Sequence, residues 1–135
     1  MTSIFVDTNI LLDVLLGRGD FASPAQLIWT KALEKKLKAS ISSISLLNCF
    51  YIIKKFKSSH QAYEIIENLV KIFHTVSVDE KIISKALQTR FEDLEDGVQY
   101  QCALKAKASA ILTRDPKGFL KSKIPVLDPI IFLNQ

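Results

Sequence analysis

Three aspartates, Asp7, Asp96 and Asp115, are the residues whose type and placement could do chemistry. Asp7 follows the apolar run Ser3-Ile4-Phe5-Val6, and Asp115 follows Ile111-Leu112-Thr113-Arg114, so each falls just past the end of a predicted strand. Open parallel sheets bind ligands at that edge. Asp96 falls at the start of a helical segment, where unpaired N–H groups favour an anion. Brought within ~4–6 Å, such like charges repel by roughly 1–4 kcal/mol per pair at effective dielectrics between that of water and ~20. A divalent cation relieves that repulsion, and an all-oxygen donor set suits Mg²⁺ or Mn²⁺ better than zinc. Each aspartate also has a local reading. Asp7 and Asp96 could cap their own helices, and Asp115, before Pro116, could be a turn residue.

The elements that must position these groups alternate in type. Ser3–Val6 reads as a buried strand and Asn9–Leu16 as a helix closed by Gly17. Pro24 is expected to open a second helix running to about Leu37, followed by a brief strand at Ala39–Ser42. Ser43–Lys55 is helical but apolar nearly all round, the mark of a buried helix or an interface. Ala62, Ile65, Ile66, Leu69, Ile72 and Phe73 form a clean helical stripe. A strand at Thr75–Val78 and a helix capped by Asp79 come next. A helix starting at Asp96-Gly97 and ending near Lys107, strands at Ala110–Thr113 and Ile124–Leu127, and a terminal helix from Asp128-Pro129 complete the chain. Strands separated by helices imply crossover connections and a parallel sheet covered on both faces. The expected fold is α/β, a three-layer α/β/α sandwich with a small parallel sheet, formed by residues 1–135 as one domain.

Composition narrows the field further. The 135 residues are 48% hydrophobic and 24% charged, with four Gly and four Pro, which excludes disordered, collagen-like and linker-rich chains. The longest unbroken apolar run, Cys49–Ile53, is far too short to span a membrane. The first residues reach a charge at Asp7, unlike a signal-peptide core. Cys49 and Cys102 are isolated in apolar stretches and read as buried thiols in a reducing cytoplasm; His60 and His74 are equally isolated. The net charge of +4 hides a pattern. Residues 31–57 carry +6 and 101–123 carry +5, whereas 1–20 carry −2 and 91–97 carry −4. Acidic islands suit a hard cation and basic surroundings suit a polyanion.

Three segments together resemble one family. Ile4-Phe5-Val6-Asp7-Thr8-Asn9 resembles the opening motif of PIN-domain proteins, the fold of VapC-type toxin ribonucleases. Leu94-Glu95-Asp96-Gly97-Val98-Gln99-Tyr100 resembles the segment carrying that family's third acidic position, and Ala110–Asp115 its late strand ending in Thr-Arg-Asp. The likeness spans essentially the whole chain. It implies metal-dependent hydrolysis of RNA that leaves a 5′-phosphate and a 3′-hydroxyl, with Asp7, Asp96 and Asp115 holding Mg²⁺ or Mn²⁺. Thr8 and Asn9 would orient Asp7 and the local backbone, and Arg114, Lys54 and Lys55 are candidate phosphate contacts. It further implies a small antitoxin protein as partner and self-association into a homodimer. The Ser43–Lys55 helix and the stripe through Ile28 and Trp29 are candidates for those interfaces, or else for core.

One position departs from the family pattern. Where PIN nucleases usually carry a Glu on the helix after the second strand, this chain has Asn48. A branch resembling this sequence carries Asn there too. An amide oxygen can ligate a cation or hold a water, but it brings no charge and cannot act as a base. Glu95 could restore the charge, although adjacent helical residues point about 100° apart.

Two competing readings are weaker. A haloacid-dehalogenase-like phosphotransfer domain needs a second Asp two residues after the first, and that position is Asn9. A receiver domain needs an Asp after a central strand and a late Lys, and no convincing pair is present. A PIN fold that binds RNA without cutting it is the alternative that Asn48 keeps open.

Overall fold

The computed structural model describes all of residues 1–135. Its elements run β1 (Ser3–Val6), α1 (Thr8–Leu15), α2 (Gly19–Leu33), β2 (Lys38–Ser42), α3 (Ser43–Ile53), α4 (Ser59–Ile72), β3 (His74–Val76), α5 (Glu80–Thr89), α6 (Leu94–Lys105), β4 (Ala110–Leu112), a 3₁₀ turn (Pro116–Phe119), β5 (Val126–Leu127) and α7 (Pro129–Leu133). The five strands form one wholly parallel sheet in the order β3-β2-β1-β4-β5. Ile4 pairs in register with Ala39 on one side and Ala110 on the other. The chain therefore builds outward from β1 to β3, then crosses back to lay β4 against the free edge of β1. That reversal of direction opens a crevice at the carboxyl ends of β1 and β4.

Period-two alternation divides the core between the two faces of the sheet. Ile4, Val6, Ile41 and Leu112 pack with buried residues of α1 to α4, including Ile10, Leu11, Ile28, Ile53 and Leu69. Phe5 and Ile111 face the other way, against Ile82, Ala86, Val98 and Phe119 from α5, α6 and the 3₁₀ turn. The expected three-layer α/β/α sandwich is thus the observed one. No helix is long and apolar enough to cross a membrane.

Several expected boundaries move, each for a local reason. Pro24 does not open α2 but lies within it, the helix starting five residues earlier at Gly19. The missing Pro24 N–H leaves only a first-turn carbonyl without a partner, and the packing of Ala25, Ile28 and Ala32 offsets that loss. The same helix stops at Leu33 because Lys35 takes a left-handed backbone, with φ 59°. Leu37 then turns into the core ahead of β2. Gly17, with φ 58°, closes α1 as expected.

Ile28 lies in the core, and the partly buried Trp29 packs against it. Ile28 is 1% exposed, and Trp29 packs edge-on against Phe73 at 5.2 Å. Helix α3 is two-sided: Cys49 and Ile53 are fully buried, while Leu47 and Tyr51 remain exposed. Both cysteines are buried and free, and burial pushes both thiols up to about 12, out of the reactive range.

Candidate active site

Asp7 leaves β1 in an extended conformation and caps α1. Its carboxylate accepts three hydrogen bonds: Oδ1 from the Thr8 amide at 2.9 Å and from Gln99 Nε2 at 3.1 Å, and Oδ2 from Thr113 Oγ1 at 2.9 Å. Thr113 Oγ1 in turn accepts from Asn9 Nδ2 and from the Asp115 amide. Asn9 Oδ1 accepts from the Arg114 amide. The start of α1 and the exit of β4 are therefore tied through the side chains of Asn9 and Thr113. The Thr8 hydroxyl shares a 2.6 Å hydrogen bond with Ser45 and accepts from Gln99 Nε2.

Asp96 is not the cap of α6. Asp93 occupies that position, its side chain accepting from the Asp96 amide at 3.0 Å, so the Asp96 carboxylate is released from capping. Burial first, then the charges of Asp7, Asp93, Asp115 and Glu95, push the Asp96 carboxyl up to about 7. Burial, followed by Asp93 and Asp7, also raises Glu95, and a hydrogen bond donated by Asn48 Nδ2 to Glu95 Oε1 at 2.8 Å pulls it part of the way back. Charges distant in sequence, Asp7 and Asp115 among them, thus bear on Asp96. Asp7, Asn48, Glu95 and Asp96 line a hollow of about 440 Å³ between α1 and α3. A neighbouring hollow of about 530 Å³ holds Asp115 and Lys117 and shares Asp93 and Asp96 with the first.

The donor set fits a hard divalent cation, being wholly oxygen and strongly anionic. In the rotamers observed, no three of these side chains have the spacing of one ion's ligands. A cradle is nevertheless present. A Cβ at residue 118 would meet Asp96 Oδ2, so Gly118 lets the Pro116–Phe119 turn sit against that carboxylate without displacing it.

The sign of the pH effect follows from the raised Asp96 value. Below about pH 4 both folded and unfolded chains carry the proton; between there and about pH 7 only the folded one keeps it. The stabilisation this group gives the cation-free protein is therefore full below about pH 4 and lost above about pH 7. Discounted for solvent screening, it amounts to roughly 1–2 kcal/mol. Asp96→Asn should remove the effect. In chelator, its melting temperature should exceed that of the wild type by about 3–6 °C at pH 8 and match it near pH 4, as read by calorimetry.

The other expected site residues lie outside this acidic cluster. Arg114 is engaged within the chain: its Nε donates to the fully buried Asp13 at 2.6 Å, and its guanidinium lies 4.1 Å from the Phe21 ring centroid. Lys55 is exposed just beyond the end of α3. The basic segments do not encircle the acids as a unit. Lys35, Lys38 and Lys71 gather with Met1 and His74 where the strands begin, at the edge opposite the aspartates. Gln99, Thr113, Ser45, Gly118 and Asp13 were not singled out by the sequence. Gln99 lies three residues after Asp96, hence on the same helical face, and that spacing was the available signal.

A PIN domain family model matches residues 3–117, and the chain belongs to that family. It is 27% identical over 129 residues to Ribonuclease VapC1 of Aquifex aeolicus, covering 92% of this chain and 88% of that protein. A toxin–antitoxin complex from Klebsiella pneumoniae is similar in fold, with a TM-score of 0.69 at 24% identity over 93% of this chain and 97% of the other. VapBC2 from Rickettsia felis, solved bound to a fragment of its promoter DNA, gives a TM-score of 0.68 at 18% identity, covering 94% of this chain and 98% of the other. These likenesses place the fold among VapC-type PIN proteins.

Proposed function

We propose that this protein is a Mg²⁺- or Mn²⁺-dependent endoribonuclease, the toxin of a toxin–antitoxin pair, acting in the cytoplasm. The observation that carries the reading is the convergence of Asp7, past the end of β1, with Glu95 and Asp96 at the start of α6 on one hollow, while Asp115, past the end of β4, lines the adjoining hollow with Asp96. Asp7, Asp96 and Asp115 would hold the cation. When bound, it supplies Lewis acidity that activates water and neutralises charge developing on the phosphoryl oxygens. Gln99, Thr8 and Thr113 fix both oxygens of Asp7, so that carboxylate would need little reorganisation to hold an ion. Arg114 serves as a positioning residue that anchors the Asp115 segment on α1. The similarity to toxin–antitoxin complexes supports a small antitoxin as partner, and self-association as a homodimer belongs to the same proposal.

Asn48 is the one feature that favours a PIN fold that binds RNA without cutting it. Glu95, hydrogen-bonded to Asn48, brings a carboxylate to that side of the hollow, and we assign it the charge that position 48 lacks. Two assays test these assignments. Single-stranded RNA should be cleaved in Mn²⁺ or Mg²⁺ and left intact in chelator; persistent cleavage without metal overturns the proposal. Asn48→Glu alone sets two carboxylates against each other and should lower activity at least tenfold. Asn48→Glu combined with Glu95→Gln restores one donor and one acceptor and should recover most of it.

A further inference from the structure

Tyr51 is 65% exposed, yet it lines the same hollow as Asp7, Asn48 and Asp96. It follows Asn48 by three residues, one turn along the outer side of α3. Its ring meets Phe50 at 82° and 5.6 Å, and Phe50 meets Tyr63 edge-on in turn, so the exposed phenol is braced from one side. Beyond it come Lys54, Lys55, Phe56 and Lys57, all exposed, and none of the three lysines forms an ion pair within the chain. An exposed, braced aromatic between an acidic hollow and unpaired cations is the surface that single-stranded nucleic acid fits. Bases stack on the ring, and the backbone follows the positive charge.

Resting on the nuclease reading above, we infer that Tyr51 is the base-stacking platform that makes the substrate single-stranded RNA and sets which phosphate enters the acidic hollow. With one phosphate among Asp7, Asp96 and Asp115, an adjoining base covers Tyr51 and the strand continues toward Lys54 and Lys55. A duplex keeps its bases stacked on each other and cannot offer one. The lysine end of the surface is complementary in charge to a polyanion, and the acids at its head, with the cation of the proposed function bound, are where a scissile phosphate would go.

The test measures binding with cleavage blocked, using full-length protein carrying Asp96→Asn. A fluorescein-labelled 12-nucleotide single-stranded RNA and the same sequence as a duplex serve as probes. The parent should bind the single strand, and Tyr51→Ala added to it should weaken that affinity about tenfold. Tyr51→Phe should restore it, and duplex binding should not change. A single 2-aminopurine moved along the RNA should be quenched at one position in the parent and at none with Tyr51→Ala. Cleavage mapping in the otherwise wild-type chain should show Tyr51→Ala spreading the cut over neighbouring phosphates. Unchanged single-strand affinity with Tyr51→Ala overturns the stacking role and leaves the nuclease reading intact. Absence of RNA binding by the parent and of cleavage by the wild type overturns that reading as well. A loss of affinity that tracks dissociation of a dimer in sedimentation assigns Tyr51 to a protein interface and overturns the inference.

Discussion

Replacing Asp7 by Asn should reduce metal-dependent RNA cleavage by at least a thousandfold and, unlike the corresponding change at Asp96, should also destabilise the fold. The first effect follows from losing a carboxylate among the proposed cation ligands. The second follows from hydrogen-bond accounting. Asp7 Oδ1 already accepts from two N–H groups, and Oδ2 accepts from Thr113 Oγ1, whose own acceptor capacity is taken by Asn9 and the Asp115 amide. An asparagine amide nitrogen meets a donor, or an already saturated hydroxyl, in either orientation. The expected cost is about 1–3 kcal/mol. Asp96→Asn should lose cleavage to a similar extent while gaining stability in chelator at pH 8. Wild-type activity in Asp7→Asn, measured on single-stranded RNA at saturating Mn²⁺, would refute the nuclease assignment. The two variants together separate loss of chemistry from loss of structure.

Replacing Arg114 by Met should lower stability by about 3 kcal/mol, the lower end of the cost of breaking a buried ion pair from one side. Asp13 is fully buried; Arg114 Nε contacts its Oδ2 at 2.6 Å, and Arg18 approaches Oδ1 only to 3.7 Å. Removing Arg114 leaves that carboxylate with one distant, partly exposed partner, and the stack on Phe21 is lost as well. Asp13→Asn with Arg114→Met should recover much of the loss, because no buried charge remains. Urea unfolding of the single and double variants measures the coupling, and additive effects would show that the pair acts independently. As Arg114 adjoins Asp115, the single variant should also weaken Mn²⁺ binding.

The strands, and the aspartates at their ends, were legible because both signals are local. An apolar run ending in Asp specifies a buried strand and its exit, and β1 begins and ends where its sequence predicts. The role of Asp96 was less so, since Asp93, Glu95 and Asp96 all lie close to the start of α6 and only the backbone decides which carboxylate caps it. The course of α2 was misread because the core contacts of Ala25, Ile28 and Ala32 outweigh the local preference of Pro24. Least legible was the support of Asp7. Gln99 and Thr113 lie 92 and 106 residues away from it, and no periodicity relates positions that meet only when β4 joins β1. The charge blocks likewise concealed geometry, since Lys38 and Lys55 share one basic segment although Lys38 opens β2 at the edge opposite the aspartates.

The return of β4 to the free edge of β1 also has a consequence in time. During synthesis from the N-terminus, β1, α1 and β2 emerge first, so Asp7 and its helix can assemble early. Thr113 and Asp115 emerge only after β4, once residues 1–112 have been made. Until then β1 has an unpaired edge, Asp7 lacks its Thr113 hydrogen bond, and the cluster lacks Asp115. The support of Asp7 and the full set of carboxylates are therefore complete only once β4 has joined β1.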